Sequence, residues 1–169
     1  SRRLAAKEEF HIAYFDLNDF KPFNDFFGYS KGDAVIQLLG SLIKDVVSPV
    51  NNFIGHIGGD DFVVIFGEQN WKQQCEQILS AFAQKITIFY SEDNLKENGV
   101  WTKNRKGEMA FHDILSLAIG VFKPDVTECK NQHQVAEKAA KAKKLAKDKG
   151  GNCVYLHISS KDLPYKSAI

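Results

Sequence analysis

Residues 52–66 read NFIGHIGGDDFVVIF. Two short runs rich in β-branched and aromatic residues, Asn52 to Ile57 and Phe62 to Phe66, flank Gly58-Gly59-Asp60-Asp61. Glycines permit the backbone angles of a tight connection, so this stretch predicts a two-stranded antiparallel hairpin. Two adjacent carboxylates then stand at its turn.

Upstream, Phe10 to Phe15 is short, apolar and aromatic, which predicts a buried strand ending on Asp16. Asp19 to Phe27, DFKPFNDFF, predicts a short helix opening near Asn18 or Asp19, with Pro22 in its first turn and Gly28 as its stop. A second helix capped by Ser30 follows, since Val35, Ile36, Leu39, Leu42, Ile43 and Val46 recur at helical spacing before Ser48-Pro49.

Downstream of the hairpin, a helix is expected from about Trp71 to Phe89, then a polar hairpin excursion over Asn94 to Asp113, turning around Arg105-Lys106-Gly107. Ile114 to Phe122 predicts a strand. His133 to Lys149 predicts a lysine-rich helix with a small-residue stripe at Val135, Ala139, Ala142 and Ala146. Gly150-Gly151-Asn152 ends it before the strand Cys153 to His157, and the tail after Ser159 carries no signal.

The order β-α-α-β-β-α-β-α-β predicts an α+β fold, a mixed and largely antiparallel sheet with helices on its faces. A chain of 169 residues, 44% hydrophobic and 12% aromatic, supports one substantial core. Residues 1–169 are therefore read as a single domain with its core at about 10–158. Ser1 to Ala6 resembles the tail of a helix, as in a domain excised from a longer multidomain protein.

A net charge of +1 offers no general attraction to nucleic acid or to an anionic membrane. No apolar run approaches the roughly 20 residues of a membrane span, and no signal-peptide layout opens the chain. Cys75, Cys129 and Cys153 are odd in number and far apart, which reads as free thiols in a reducing cytoplasm.

Asp16, Asp60 and Asp61 come from segments that the hairpin can lay beside the first strand. Mg²⁺ takes oxygen ligands, commonly one or two carboxylates plus substrate phosphates, so the trio suggests a metal-phosphate site. Equally, Asp16 can cap the following helix, and Gly-Gly-Asp-Asp can be no more than a good turn.

Longer blocks bear on that choice. Phe15-Asp16-Leu17-Asn18-Asp19-Phe20-Lys21-Pro22-Phe23-Asn24-Asp25, continued by Gly28-Tyr29 and Gly32-Asp33, resembles the block F-D-[ILV]-D-x-F-K-x-[IF]-N-D-x-x-G-[HY]-x-x-G-D of the GGDEF family. Gly58-Gly59-Asp60-Asp61-Phe62 stands where the motif that names that family belongs. Leu115 to Gly120 is similar to its S-x-G strand, and Ala146-Lys147 before Gly150-Gly151-Asn152 to its A-K-x-x-G-R-N end. The blocks run in order from Phe10 to Tyr155.

The resemblance implies a nucleotidyl cyclase or palm-like (ferredoxin-like) fold and synthesis of cyclic di-GMP from two GTP molecules, with Mg²⁺ or Mn²⁺, in a homodimer that presents one GTP from each monomer. Carried over residue by residue, Asp16, Asp60 and the Leu17 carbonyl bind metal. Asp60, Asp61 and Lys21 serve the chemistry, Asn24 and Asp33 read guanine, and Lys21 and Lys147 hold phosphates. The same helix also offers Lys141, Lys143 and Lys144, most of which read as a solvated face, so which lysine of this helix contacts phosphate stays open. The Phe20, Phe23, Phe26 and Phe27 cluster reads as core or pocket wall, and His11 and His56 as structural histidines.

Four positions depart from the pattern: Asp61 for the usual Glu, Asn18 for Asp, His56 for Arg and Gly151 for Arg. The R-x-x-D product-inhibition motif is missing at Pro49-Val50-Asn51-Asn52, which removes the expectation of product inhibition there. The blocks most resemble GGDEF domains at the C-terminal end of proteins that also carry EAL phosphodiesterase and CBS domains. Three functions remain in view: a diguanylate cyclase; a module that binds GTP without efficient turnover and regulates an attached EAL phosphodiesterase; and a CRISPR-type palm domain making cyclic oligoadenylate, against which Asn24 and Asp33 speak.

Overall fold

The computed structural model describes residues 5–6, 8–67, 69–103, 107–125, 129, 131–158 and 165–168. In chain order the elements are β1 (His11–Asn18), α1 (Phe20–Phe27), α2 (Tyr29–Val46), β2 (Asn52–Gly58), β3 (Asp61–Phe66) and α3 (Trp71–Lys85), which tightens into a 3-10 turn at Ile86–Phe89. They continue with α4 (Glu92–Glu97), β4 (Gly99–Lys103), β5 (Met109–Asp113), β6 (Ser116–Lys123), α5 (Gln132–Lys147), β7 (Cys153–Ile158) and β8 (Tyr165–Ala168).

Six strands form one sheet in the order β2-β3-β1-β6-β7-β8. Among the described strands only β6 and β7 run parallel, and α5 is the crossover that such a pair requires. The mixed, largely antiparallel α+β architecture predicted from the element order is the one observed. β4 and β5 pair separately as the excursion, whose expected turn residues Arg105 and Lys106 lie outside the described residues.

Side chains alternate across the sheet. Ala13, Phe15 and Leu17 of β1 point into the main core with Phe62, Val64 and Phe66 of β3, Leu117, Ile119 and Val121 of β6, and the buried faces of α2 and α3. Ile12, on the opposite face, packs with Phe122 beneath Val135, Ala139 and Ala142 of α5. Phe15, Phe66, Phe82 and Phe122 are among the largest side chains wholly removed from water, each contributing roughly 1.5–3 kcal/mol of burial.

Several boundaries differ from expectation for local reasons. β1 continues past Asp16, because Leu17 and Asn18 pair with Leu117 and Ser116 of β6. Ser30 does not cap α2; the helix opens at Tyr29 from Gly28, whose φ of 87° sets the corner after α1. The excursion begins with the six-residue α4, too short to show a helical period and started by a Ser91–Asn94 capping box. β8 adds an edge strand antiparallel to β7.

The excursion is gathered at its base. The Leu115 N–H donates to the Tyr90 hydroxyl at 2.9 Å, and the Ile114 N–H donates to the Asn98 carbonyl at 3.3 Å. Burial pushes the Tyr90 hydroxyl up to about 12, so it stays protonated. All three cysteines are free and buried. Among the described residues no helix is long and apolar enough to cross a membrane.

Candidate active site

The site is set first by strand register. β1 and β3 pair antiparallel from His11 opposite Phe66 to Phe15 opposite Phe62, and one further step brings Asp16 beside Asp61. On its other side Asp16 pairs with Ala118 of β6. The Asp16 residue is 3% exposed, and burying a carboxylate is costly unless charged or hydrogen-bonding partners accompany it.

Those partners come from α5. Gly120 of β6 has no side chain, and a Cβ there would overlap the backbone of Ala142 and Lys143, so the helix lies close against the sheet. Lys143 and Lys147, one helical turn apart, then reach the acidic cluster. Lys143 Nζ lies 2.7 Å from Asp16 Oδ2 and also donates to Asp61 Oδ1. Lys147 Nζ lies 2.6 Å from Asp16 Oδ1.

The electrostatics follow from this crowding. Burial disfavours the Lys143 charge, but its bonds to Asp16 and Asp61 outweigh that, and its pKa is raised. The Asp60 carboxyl is also raised, first by burial and then by the charges of Asp16 and Asp61, with backbone hydrogen bonds at Asp60 and Leu17 pulling the other way. The two ammonium groups are paired with Asp16 and Asp61, and Asp60 stands close enough to feel both of those charges.

A cleft of about 360 Å³ opens beside the cluster, and Leu17, Lys21, Asn24, Asp60 and Lys147 all line it. Asp33 does not; it is exposed on α2, one turn beyond Tyr29, which does line the cleft. Asn24 Oδ1 is buried without a hydrogen-bond partner among the described residues. A β-carbon at Gly32 would overlap that oxygen, so the glycine of the Gly32-Asp33 pair makes the space Asn24 occupies. Lys21 Nζ is turned onto Asp25 Oδ2 at 2.8 Å, an exposed helical pair.

Three members of the phenylalanine cluster fall in the core or the cleft wall as expected, and Phe26 does not, being 46% exposed. Phe23 is buried against Phe27 and Tyr90, and Phe20 lines the cleft. A larger hollow of about 740 Å³ adjoins the cleft, sharing Asp19 and Lys147 with it and walled in part by Asn18, Ser116 and Gly151.

The departing residues have structural work. Asn18 Nδ2 donates to Ser116 Oγ at 2.9 Å and to the Gly151 carbonyl at 3.1 Å, tying the end of β1 to the turn after α5. Gly150 and Gly151 have φ of 68° and 66°, a pair of left-handed residues that favours glycine over arginine there. His56 stacks on Phe62, and its Nε2 lies 2.8 Å from the Gly59 carbonyl, bracing the hairpin turn. His11 is buried and stacked on Trp71.

Lys143 was missed as a site residue. The usable signal was spacing: it stands four residues after buried Ala139 and four before Lys147, which places it on the sheet-facing side of α5, unlike exposed Lys141 and Lys144.

Among the described residues no three His, Cys, Asp or Glu side chains are gathered as a ready-made metal cage. Mg²⁺ does not require one. Asp16 Oδ2 and Asp61 Oδ1 converge on a single cationic group, Lys143, and two hard carboxylate oxygens aimed at one point fit a divalent ion completed by phosphate and water.

Comparison with known proteins accords with this arrangement. The family model "Diguanylate cyclase, GGDEF domain" matches residues 1–153. Signaling protein YkoW of Bacillus subtilis is 39% identical over 59 residues, 35% of this chain and 7% of that protein. A diguanylate cyclase of Vibrio cholerae is 35% identical over 72 residues, 41% of this chain and 22% of that one. The chain thus spans well under two thirds of these relatives. Among solved structures, the active GGEEF domain of a Vibrio cholerae diguanylate cyclase superposes with a TM-score of 0.68 at 22% identity, covering 95% of this chain and 89% of that one. With the fold, the motif blocks and the family model in agreement over most of its length, the chain belongs to the diguanylate cyclase GGDEF-domain family.

Proposed function

We propose that the domain condenses two GTP molecules into cyclic di-GMP, using Mg²⁺ or Mn²⁺ and working as a homodimer in the cytoplasm. The observation that carries this reading is the buried Asp16 beside Asp61, at the head of a cleft that Asn24 and Lys147 share.

In this reading Asp16, Asp60 or Asp61, and the Leu17 carbonyl hold the divalent ion, which neutralises phosphate charge and makes the attacking 3′-hydroxyl easier to deprotonate. Asn24 offers its unpartnered amide oxygen to the guanine edge. Asp33 reaches guanine only if its exposed side chain turns toward the cleft past Tyr29. Lys147 and Lys21 serve the triphosphate as point charges, Lys21 after leaving Asp25. Two bound nucleotides must face each other for the reaction, which is the reason for a dimer.

The second reading is a nucleotide-binding module that regulates an attached EAL phosphodiesterase next to CBS domains. It is favoured by Asn18, whose amide is committed to Ser116 and Gly151, and by Gly151, which brings no charge to the phosphates. Incubation of the protein with GTP or ATP and Mg²⁺ or Mn²⁺, followed by product analysis, separates the possibilities. Cyclic di-GMP formed by the wild type and lost in Asp16→Asn supports the cyclase; GTP binding without product supports the module. A cyclic oligoadenylate product overturns both.

A further inference from the structure

Lys143 has no part in the roles assigned above, yet it holds the centre of the acidic cluster. Its ammonium bridges Asp16 Oδ2 at 2.7 Å and Asp61 Oδ1, while Lys147 takes the other Asp16 oxygen at 2.6 Å. Both oxygens of the most buried carboxylate are thus engaged by cations of the chain itself. The Lys143 side chain is 25% exposed against 50% for Lys147, so it is the more enclosed of the two.

This placement is built into the backbone. Strand register forces Asp16 and Asp61 together, and like charges so close raise the energy of the fold unless a positive charge stands between them. Gly120 lets α5 settle until its backbone at Ala142 and Lys143 touches the sheet, which directs the lysine stem into the gap.

We propose that Lys143 is a tethered counter-ion that occupies the divalent-cation position between Asp16 and Asp61 and must be displaced when a metal ion loads. The proposal rests on the metal-site reading given above. A tethered ammonium competes at high effective concentration, so a free divalent ion binds weakly on its own. A nucleotide changes the balance, because its phosphates bring further oxygen ligands to the metal and give the released ammonium a new anionic partner. Lys143 therefore couples metal loading to nucleotide arrival and keeps the carboxylate pair in register beforehand.

The test is Mn²⁺ binding without nucleotide, followed by paramagnetic resonance and by the Mn²⁺-induced rise in Tm, on the full 169-residue chain. Wild type is compared with Lys143→Met, Lys143→Gln, the exposed control Lys141→Met, and Asp16→Asn. Both Lys143 variants are expected to bind Mn²⁺ about tenfold more tightly or better, since one close charge pair no longer has to be broken. They should also gain more Tm on Mn²⁺ addition than wild type, with Lys141→Met unchanged. The second Lys143 variant keeps the comparison decisive if the first fails to fold. Equal or weaker Mn²⁺ affinity in a folded Lys143 variant, with binding still lost in Asp16→Asn, overturns the counter-ion and leaves the metal site standing. Mn²⁺ binding that is absent throughout, or indifferent to Asp16→Asn, overturns both.

Discussion

Gly32 lies so close to the side-chain oxygen of Asn24 that no β-carbon fits between them. The contact joins α2 to α1 and holds the asparagine where it lines the cleft. Gly32→Ala should therefore destabilise the domain by about 1–3 kcal/mol through overpacking and weaken GTP binding. Adding Asn24→Ala should restore most of the stability but not the binding. Urea denaturation of the two single variants and the double variant, alongside GTP titration, checks both parts.

Asn18→Asp, which restores the commoner residue of the motif, should not improve turnover. It removes the amide that donates to Ser116 and Gly151 and sets a carboxylate against the Gly151 carbonyl. A loss of about 1–3 kcal/mol is expected in chemical denaturation, with no rise in cyclic product by chromatography.

Asp60→Asn should raise Tm near neutral pH while abolishing product formation. Burial and the neighbouring charges of Asp16 and Asp61 lift the Asp60 pKa above its ordinary 3.8. A raised acid contributes stability below its unfolded pKa and loses it as pH rises through the folded value. At neutral pH the ionised side chain is a liability, and the amide removes it. The Tm gap between variant and wild type should narrow as pH falls toward 3.8, which calorimetry across that range measures.

His11 gives a pH dependence of the opposite sign. Burial first, and Lys123 second, lower its pKa from 6.5 to about 4, with Glu9 opposing. The folded domain favours the neutral ring, so this stability is present above pH 6.5 and lost as pH falls toward about 4. His11→Phe, which can keep the stack on Trp71, should be less acid-sensitive than wild type between those values in denaturation curves.

Much of this was legible in the sequence because it rests on short-range rules. Alternation and glycine placed the hairpin, and the Asp16 to Asp33 block indicated which carboxylate the hairpin would approach. For Lys143, spacing gives the side of α5 it lies on but not its reach to the two carboxylates. Its neighbours Lys141 and Lys144 are solvated, and that reach depends on the close approach of α5 over Gly120, a tertiary contact. The Asp16–Asp61 pairing likewise depends on a register between strands distant in sequence. The position of Asp33 outside the cleft wall reflects where α2 begins, and the turn at Gly28 sets that start.

The bond from Leu115 to Tyr90 joins residues 25 positions apart at one point in space. The chain therefore leaves the domain and re-enters it through a closed neck, and β6 takes its register only after that neck. Lengthening a loop whose ends are already fixed costs only about 0.6 kcal/mol per doubling. The β4–β5 hairpin is thus a graft point, where an inserted label or sensor can ride on the domain without resetting the strand that flanks Asp16.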